Sequence, residues 1–294
     1  SRYLMDNKFS KSWINMRIHY DDLARSTILI DFVKKQNASN NYKLVDMCTG
    51  SGSFLIWTLK RGLLFTDNIL IDNDMNLLKS IKSNMRRYLK NIFTIKSNTN
   101  NLNLVISDAL QKKSNVKIKK ADCDTYQMKD LDTYVISYSA ALDLMSKSSI
   151  DTSLKKIEKK NILFYSLCFD GTIKWKKSHP FDKYITSFFN NHQMSDKGFG
   201  KALGYKSISF VTQRAKKLGY TVKTADSPWV VSNKSNQDKL FLKRYILDIK
   251  KTLYHMESID RSMLRIWYSE KLDQILNKKI KVHVGHKDLL IFKK

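Results

Sequence analysis

Leu44-Val45-Asp46-Met47-Cys48-Thr49-Gly50-Ser51-Gly52-Ser53-Phe54 is the stretch on which the reading of this chain turns. A short apolar run carries an acid at Asp46, two glycines follow within a tight span, and Phe54 opens an apolar segment of helix length. A strand, a turn and a helix in that order aim backbone N–H groups and the positive helix end at a bound ligand. Gly50 and Gly52 permit the tight turn and a close backbone approach. A dinucleotide fingerprint, G-x-G-x-x-G, would need a third glycine where Leu55 stands. Asp46 can instead hold a cationic amine, which a nicotinamide dinucleotide does not present to such a loop.

Working outward, short apolar runs recur at 43–47, 68–71, 102–106, 133–138 and 162–167, several of them separated by helix-length segments such as 75–90. The runs lack strict alternation, as strands buried on both faces do, so the pattern predicts a parallel sheet with helices on both faces, an α/β fold. Trp13, Ile14, Ile18, Leu23, Ile28, Leu29 and Phe32 recur at helical spacing and predict helix over 12–35. A helix over 207–218 ending at Gly219, a strand at 220–224, helical spacing over 237–278 and a final strand at 283–292 complete the expectation. No repeat and no Gly/Ser- or Pro-rich linker divides the chain, so 1–294 reads as one domain. Within it, 1–40 is a helical lid, 41–232 the core with an insertion loop at 178–204, and 233–294 a helical extension with the last strand.

Two further acids extend the motif. Asp72 lies 20 residues past Gly52 and ends the second run, Ile69-Leu70-Ile71-Asp72, where a carboxylate can accept ribose hydroxyls. Asp74, two residues on, reads as a helix N-cap. Asp108 ends the next run, Val105-Ile106-Ser107-Asp108-Ala109, in position to accept from an adenine amine while the Ala109 N–H faces a ring nitrogen. Three acids ending three successive strands around one glycine loop form a cradle for an adenosine with a cationic amino-acid tail.

Over roughly residues 40–225 this resembles the class I S-adenosylmethionine-dependent methyltransferases. The resemblance implies a Rossmann-like, mostly parallel seven-stranded sheet, an enzyme, and S-adenosylmethionine as cofactor. It implies that Asp46, Cys48, Thr49, Gly50 and Gly52 hold the methionyl part, Asp72 and Asn73 the ribose, and Asp108 and Ala109 the adenine, with Ser139 near the methyl group. Cys48 stands where the family has its first loop glycine. Phe9-Ser10-x-x-Trp13 leading into Arg17, Asp21, Asp22 and Ala24-Arg25; Ser139-Ala140-Ala141-Leu142-Asp143-Leu144; Asn191-His192-Gln193-x-x-Asp196-Lys197-Gly198-Phe199-Gly200; and Val284-Gly285-His286-Lys287-Asp288 together look like a bacterial branch whose acceptor is unassigned.

Methyl transfer is an in-line displacement, so proximity, alignment and exclusion of water can carry much of it, and a base is needed only if the acceptor loses a proton. In an open α/β sheet the acceptor binds beyond the carboxyl ends of the strands. That nominates Asp143 and His192 as catalytic residues, His192 for its near-neutral titration. The plainer readings are a helix start for Asp143 and a carbonyl-bonded loop histidine for His192. Arg17, Asp170, Asp196, Lys197 and Phe199 are candidates for acceptor binding, although Arg17 can equally pair with Asp21 or Asp22 across one helical turn. The 178–204 and 1–25 segments are expected to close over a small-molecule acceptor. His283 and His286 point to opposite faces of an expected strand and make a poor metal pair, so no metal is expected.

Composition sets outer bounds. The chain has 294 residues and a formal charge of +26, with lysine outnumbering arginine 43 to 10. That excess fits an AT-rich coding bias better than nucleic-acid recognition, which favours arginine. Three cysteines without a C-x-x-C pair exclude a disulfide framework and a cysteine zinc site. No apolar run approaches the roughly 18 residues of a membrane span, and the first residues lack the apolar core of a secretory signal, so a soluble, cytoplasmic protein is expected. The rival readings are an RNA or other nucleic-acid methyltransferase and a non-catalytic scaffold that binds S-adenosylmethionine. Against adenine-amine methylation, Ser137-Tyr138-Ser139-Ala140 stands where a Pro-Pro-aromatic run would be. Against cytosine-carbon methylation, the only prolines, Pro180 and Pro228, are not followed by cysteine. Oligomeric state is not readable.

Overall fold

The structure is a computed structural model and describes residues 10–129, 132–157, 160–196 and 200–294. Two helices, α1 (Lys11–Ala24) and α2 (Thr27–Asn40), precede β1 (Lys43–Met47), α3 (Ser53–Lys60), β2 (Asp67–Asp72), α4 (Met75–Leu78) and α5 (Ile81–Leu89). There follow β3 (Thr94–Ser97), β4 (Asn103–Ser107), β5 (Lys113–Lys120), β6 (Tyr134–Ser139), α6 (Lys147–Lys155), β7 (Ile162–Trp175), α7 (Asp182–Gln193) and α8 (Ser207–Lys217). The chain closes with β8 (Thr221–Asp226), β9 (Trp229–Ser232), α9 (Asn236–Tyr254), α10 (Arg261–Asn277) and β10 (Lys281–Phe292).

The strands form one ten-stranded sheet ordered β3-β4-β5-β2-β1-β6-β7-β10-β8, with β9 alongside β10. β5, β2, β1, β6 and β7 run parallel, and β10 runs antiparallel to β7, β8 and β9. The arrangement is Rossmann-like and mostly parallel at its centre, with helices flanking it. It departs from the doubly wound order 3-2-1-4-5-6 by the antiparallel last strand slotted between the fifth and sixth. Burial follows position: every residue of central β6 is buried, while β5, near one edge, alternates buried and exposed. Helix starts follow the expected chemistry, with Ser10, Ser26, Asp74, Ser146, Ser235 and Asp260 side chains accepting the first backbone amides. One buried cluster joins α2, α3 and α5 to the sheet through Leu29, Trp57 and Met85, and a second joins α6 and α8 through Leu154 and Val211. A third gathers Trp13, Trp229, Phe241 and Trp267 where α1, α9 and α10 meet β9 and the outer half of β7.

Four expectations need correction. Ten strands replace seven. The 102–106 run is not the third parallel strand: it is β4, half of an antiparallel hairpin with β3 laid against β5. The true third parallel strand is β5, Lys-Ser-Asn-Val-Lys-Ile-Lys-Lys, whose buried side chains are only Ser114, Val116 and Ile118. Its one wetted face makes it too polar to register as an apolar run. The 178–204 segment is not a loop, because it contains helix α7. The 75–90 helix divides at Lys79-Ser80 into α4 and α5. Residues 1–9 of the expected lid lie outside the described residues.

Candidate active site

The parallel strands end at one edge, and β1 and β6 are adjacent there although other strands intervene in sequence, which makes this the switch point of the sheet. The loop from β1 to α3 turns through left-handed backbone at Cys48 (φ 55°), Gly50 (φ 58°) and Gly52 (φ 82°). Glycine is favoured at Gly52 by torsion, and a Cβ there would also press within 3.1 Å of the Ile81 side chain. Asp46 is fully enclosed and spends both oxygens on hydroxyls, 2.6 Å from Thr49 Oγ1 and 2.6 Å from Ser137 Oγ. Burial pushes its carboxyl up to about 6 against the pull of those two hydroxyls. Asp46 therefore shapes the loop from beneath. Asp72 Oδ2 accepts the Gly50 N–H at 2.9 Å, and its Oδ1 accepts the Asp74 N–H at 2.9 Å, so the two halves of the expected cradle touch. The loop also leans on the segment after β5, where Cys123 Sγ accepts the Cys48 N–H at 3.0 Å. Ser51 Oγ is buried in the loop without a hydrogen-bond partner.

Asp108 is not at this edge. β4 is antiparallel to β5 and Ser107 pairs with Lys113, so Asp108 sits at the amino-terminal end of β5, a strand length (roughly 20 Å) from the glycine loop. Its carboxylate accepts the Leu110 and Lys112 amides and closes the hairpin turn, and Ala109 beside it is exposed. The acid following the true third strand is Asp122. Thr49 is buried and Asn73 is exposed at the end of β2.

From the loop the site continues past Ser139. The Arg25 side chain, wholly buried, donates from one nitrogen to Ser53 Oγ (2.8 Å) at the start of α3 and to Ser139 Oγ (2.8 Å) at the end of β6. Beyond Ser139, a small cavity of about 60 Å3, open in part to solvent, is lined by Arg17 of α1, Ala140, Asp143 and Leu144 after β6, and Leu167 and Phe169 of β7. Phe189 and Gln193 of α7, Trp229 of β9, Tyr245 of α9, and Val284 and His286 of β10 complete the wall. Arg17 pairs with Asp21 through two nitrogens, at 2.9 and 3.2 Å, and lies 4.7 Å over the Trp229 ring, whose Nε1 donates to the same Asp21 at 2.9 Å. The helical ion pair expected of Arg17 is therefore present, and its side chain also lines the cavity. The cavity exists because β7 outruns β6: at Leu167 it bulges, and Asp288 of β10 accepts the displaced Leu167 N–H at 2.7 Å together with the Ser26 N–H at 2.7 Å.

Asp143 therefore lies in the cavity wall, whereas His192 is not among the residues lining it; its helical neighbours Phe189 and Gln193 are. Asp170 packs on Gly285, where any Cβ would collide with its carboxylate, and accepts the Thr172 N–H at 2.9 Å, also outside the lining. Asp196 is exposed and pairs through its backbone with Lys201. Lys197 and Phe199 lie outside the described residues. Sequence reasoning did not select Gln193, Trp229, Tyr245 or His286 as site residues. Gln193 and His286 lay within stretches singled out in the sequence, Asn191-His192-Gln193 and Val284-Gly285-His286, but without a role. His283 is exposed and His286 buried on the same strand, as their opposite faces require.

No family model matches the chain, and no curated protein matches it. Among solved structures, the YcgJ protein from Bacillus subtilis is 10% identical with a TM-score of 0.47, the match covering 92% of this chain and 100% of that one. A SAM-dependent methyltransferase from Thiobacillus denitrificans, in complex with S-adenosyl-L-homocysteine, is 12% identical with a TM-score of 0.44, covering 96% of this chain and 97% of that one. These likenesses are of outline only. Among the described residues, no helix is long and apolar enough to cross a membrane.

Proposed function

We propose that this chain is an S-adenosylmethionine-dependent methyltransferase that transfers the methyl group in line to a small-molecule acceptor. The observation that carries the reading is the bond between the Gly50 amide and the Asp72 carboxylate at the switch point of the sheet, which joins a glycine turn and a strand-end acid into one cradle. The residues present fit the cofactor. Ser51 Oγ is a buried hydroxyl lacking a partner, and Gly50 and Gly52 keep side chains away from the loop surface. The loop 48–52 would hold the methionyl end and Asp72 the ribose hydroxyls, with the adenine toward the segment after β5. Bound there, the cofactor supplies a methyl group activated on a sulfonium sulfur.

The chain's own part is alignment and exclusion of water. Arg25 fixes Ser53 against Ser139 and so sets the glycine loop against the cavity wall. α1 and α7 cover the cavity with Arg17, Phe189 and Gln193. Asp143, in the wall, is the carboxylate positioned to take a proton from an acceptor that must lose one. An aromatic and mixed-polarity lining that includes no lysine among the described residues favours a small acceptor over a polyanion, whatever the net charge of +26 suggests. Calorimetric titration with S-adenosylhomocysteine and, separately, with NAD tests the reading. Binding of the first and not the second is expected, and absence of binding by S-adenosylhomocysteine would withdraw it. The scaffold alternative predicts the same binding without methyl transfer to any acceptor.

A further inference from the structure

Two kinds of observation at the cavity are not used by the cofactor. The first is bare polarity. His286 is 5% exposed and Gln193 4% exposed; both line the cavity, Gln193 Nε2 has no hydrogen-bond partner, and the His286 imidazole leans on the Val284 backbone. A buried polar atom without a partner is costly, and a ligand group that bonds Gln193 Nε2 would remove that cost. The second is backbone strain. Ala140 (φ 52°) and Leu167 (φ 55°), neither of them glycine, hold left-handed backbone in the same wall. Strain of this kind gathers at binding sites.

The chemistry of the wall narrows the occupant. Phe169, Phe189, Trp229 and Tyr245 offer flat apolar surface, which suits a planar ring. An amide and an uncharged imidazole each both donate and accept, so they match a group that does the same. Burial, reinforced by the Arg17 charge, pushes the His286 imidazole down to about 3 and keeps it uncharged. Among the described residues, the cation in the wall is Arg17, already held in a two-point pair by Asp21, and the carboxylate there, Asp143, disfavours a second anion. Neither an anionic ring nor a plain hydrocarbon meets these demands.

Building on the methyltransferase reading, we infer that the acceptor is an uncharged planar ring bearing an N–H donor beside a carbonyl oxygen, a cyclic amide or ureide, bound by Gln193 and His286 between the aromatic side chains. The test uses the full chain and four probes: 2-quinolone, which has the donor and the carbonyl; N-methyl-2-quinolone, which lacks the donor; quinoline, which lacks both; and quinoline-2-carboxylate, which is charged. Affinities are read by ligand-observed NMR, with and without S-adenosylhomocysteine. Binding of 2-quinolone at least tenfold tighter than the other three is expected, with the preference lost in Gln193→Leu and in His286→Leu. Equal or tighter binding of the carboxylate or the N-methyl ring, a preference unmoved by both variants, or no binding by any probe overturns the inference. Unfolding temperature gives a second readout. Gln193→Leu removes an unpartnered buried polar atom and is expected to unfold about 2 °C higher or more without ligand, whereas a fall means that the side chain serves the fold and overturns the assignment. Failure of S-adenosylhomocysteine to bind, with the 2-quinolone preference intact, would remove the methyltransferase reading and leave the ligand class of the cavity standing.

Discussion

The glycine-loop cradle and the cavity beside it share one edge of the sheet, yet their polar groups are treated in opposite ways. In the cradle, Asp46 holds two hydroxyls, Asp72 holds two backbone amides, and Ser51 Oγ alone is left over. In the cavity, Gln193 Nε2 is bare and two non-glycine residues are strained. The cradle is a turn that the fold itself completes. The cavity keeps a polar group, Gln193 Nε2, that the fold leaves unpaired.

The junction between the two regions should give the largest effect. Asp288 is fully buried, with its carboxyl raised by desolvation, and accepts amides from Ser26, beside Arg25, and from Leu167, in the cavity wall. Asp288→Ala leaves two buried amides unpaired and should destabilise the protein by about 3 kcal/mol in chemical denaturation. A loss below about 1 kcal/mol would mean that cradle and cavity are not coupled through this side chain.

Next comes the cradle alone. Asp72→Ala should weaken S-adenosylhomocysteine binding by about 2 kcal/mol, roughly thirtyfold, from lost charge-assisted hydrogen bonds and a released Gly50 amide. Unchanged affinity by calorimetry would take Asp72 out of the site.

The cavity should betray itself through pH. The His286 imidazole is lowered to about 3 in the folded protein, whereas it titrates near 6.5 in an unfolded chain. The unfolded state then binds the extra proton first, so stability is lost as pH falls below 6.5 toward 3. Between pH 6.5 and 5 this amounts to roughly 1.5 kcal/mol, which His286→Leu should not lose. Parallel stability–pH curves for the two proteins would place His286 in a wetter setting than the cavity wall.

The smallest effect is the sharpest check on the corrected topology. Asp108→Ala, at the far end of β5, should leave S-adenosylhomocysteine affinity within about 0.5 kcal/mol, the range of surface changes remote from a site. A tenfold loss would return Asp108 to the cradle and contradict the β4–β5 pairing.

Much of the cradle was legible because its residues lie within local units. Asp46, Gly50 and Gly52 belong to one strand–turn–helix, and Asp72 ends the following strand. The error at Asp108 arose where that local logic failed. β4 is more apolar than β5, so the hairpin strand looked like the core strand, and nothing in 102–106 reveals its direction. His192 was favoured for its titration range, but titration range says nothing of which side of α7 meets the cavity.

What the sequence by itself determined is the alternation of strand and helix, the glycine turn and the strand-end position of Asp72, because torsional freedom, burial period and strand-end position are properties of short segments. That Asp46 is enclosed beneath the loop and not open to a methionyl amine was decided by packing. Only the tertiary structure decided which acid follows the third parallel strand and which histidine lies at the cavity. It alone brought Arg17, Gln193, Trp229, Tyr245 and His286 together across five elements, from α1 to β10. The physical reason is that strand direction and cavity walls are fixed by pairing and packing between residues far apart in the chain. The antiparallel insertion of β10 beside the bulge at Leu167, which brings His286 opposite Phe169, is a contact that no local pattern encodes.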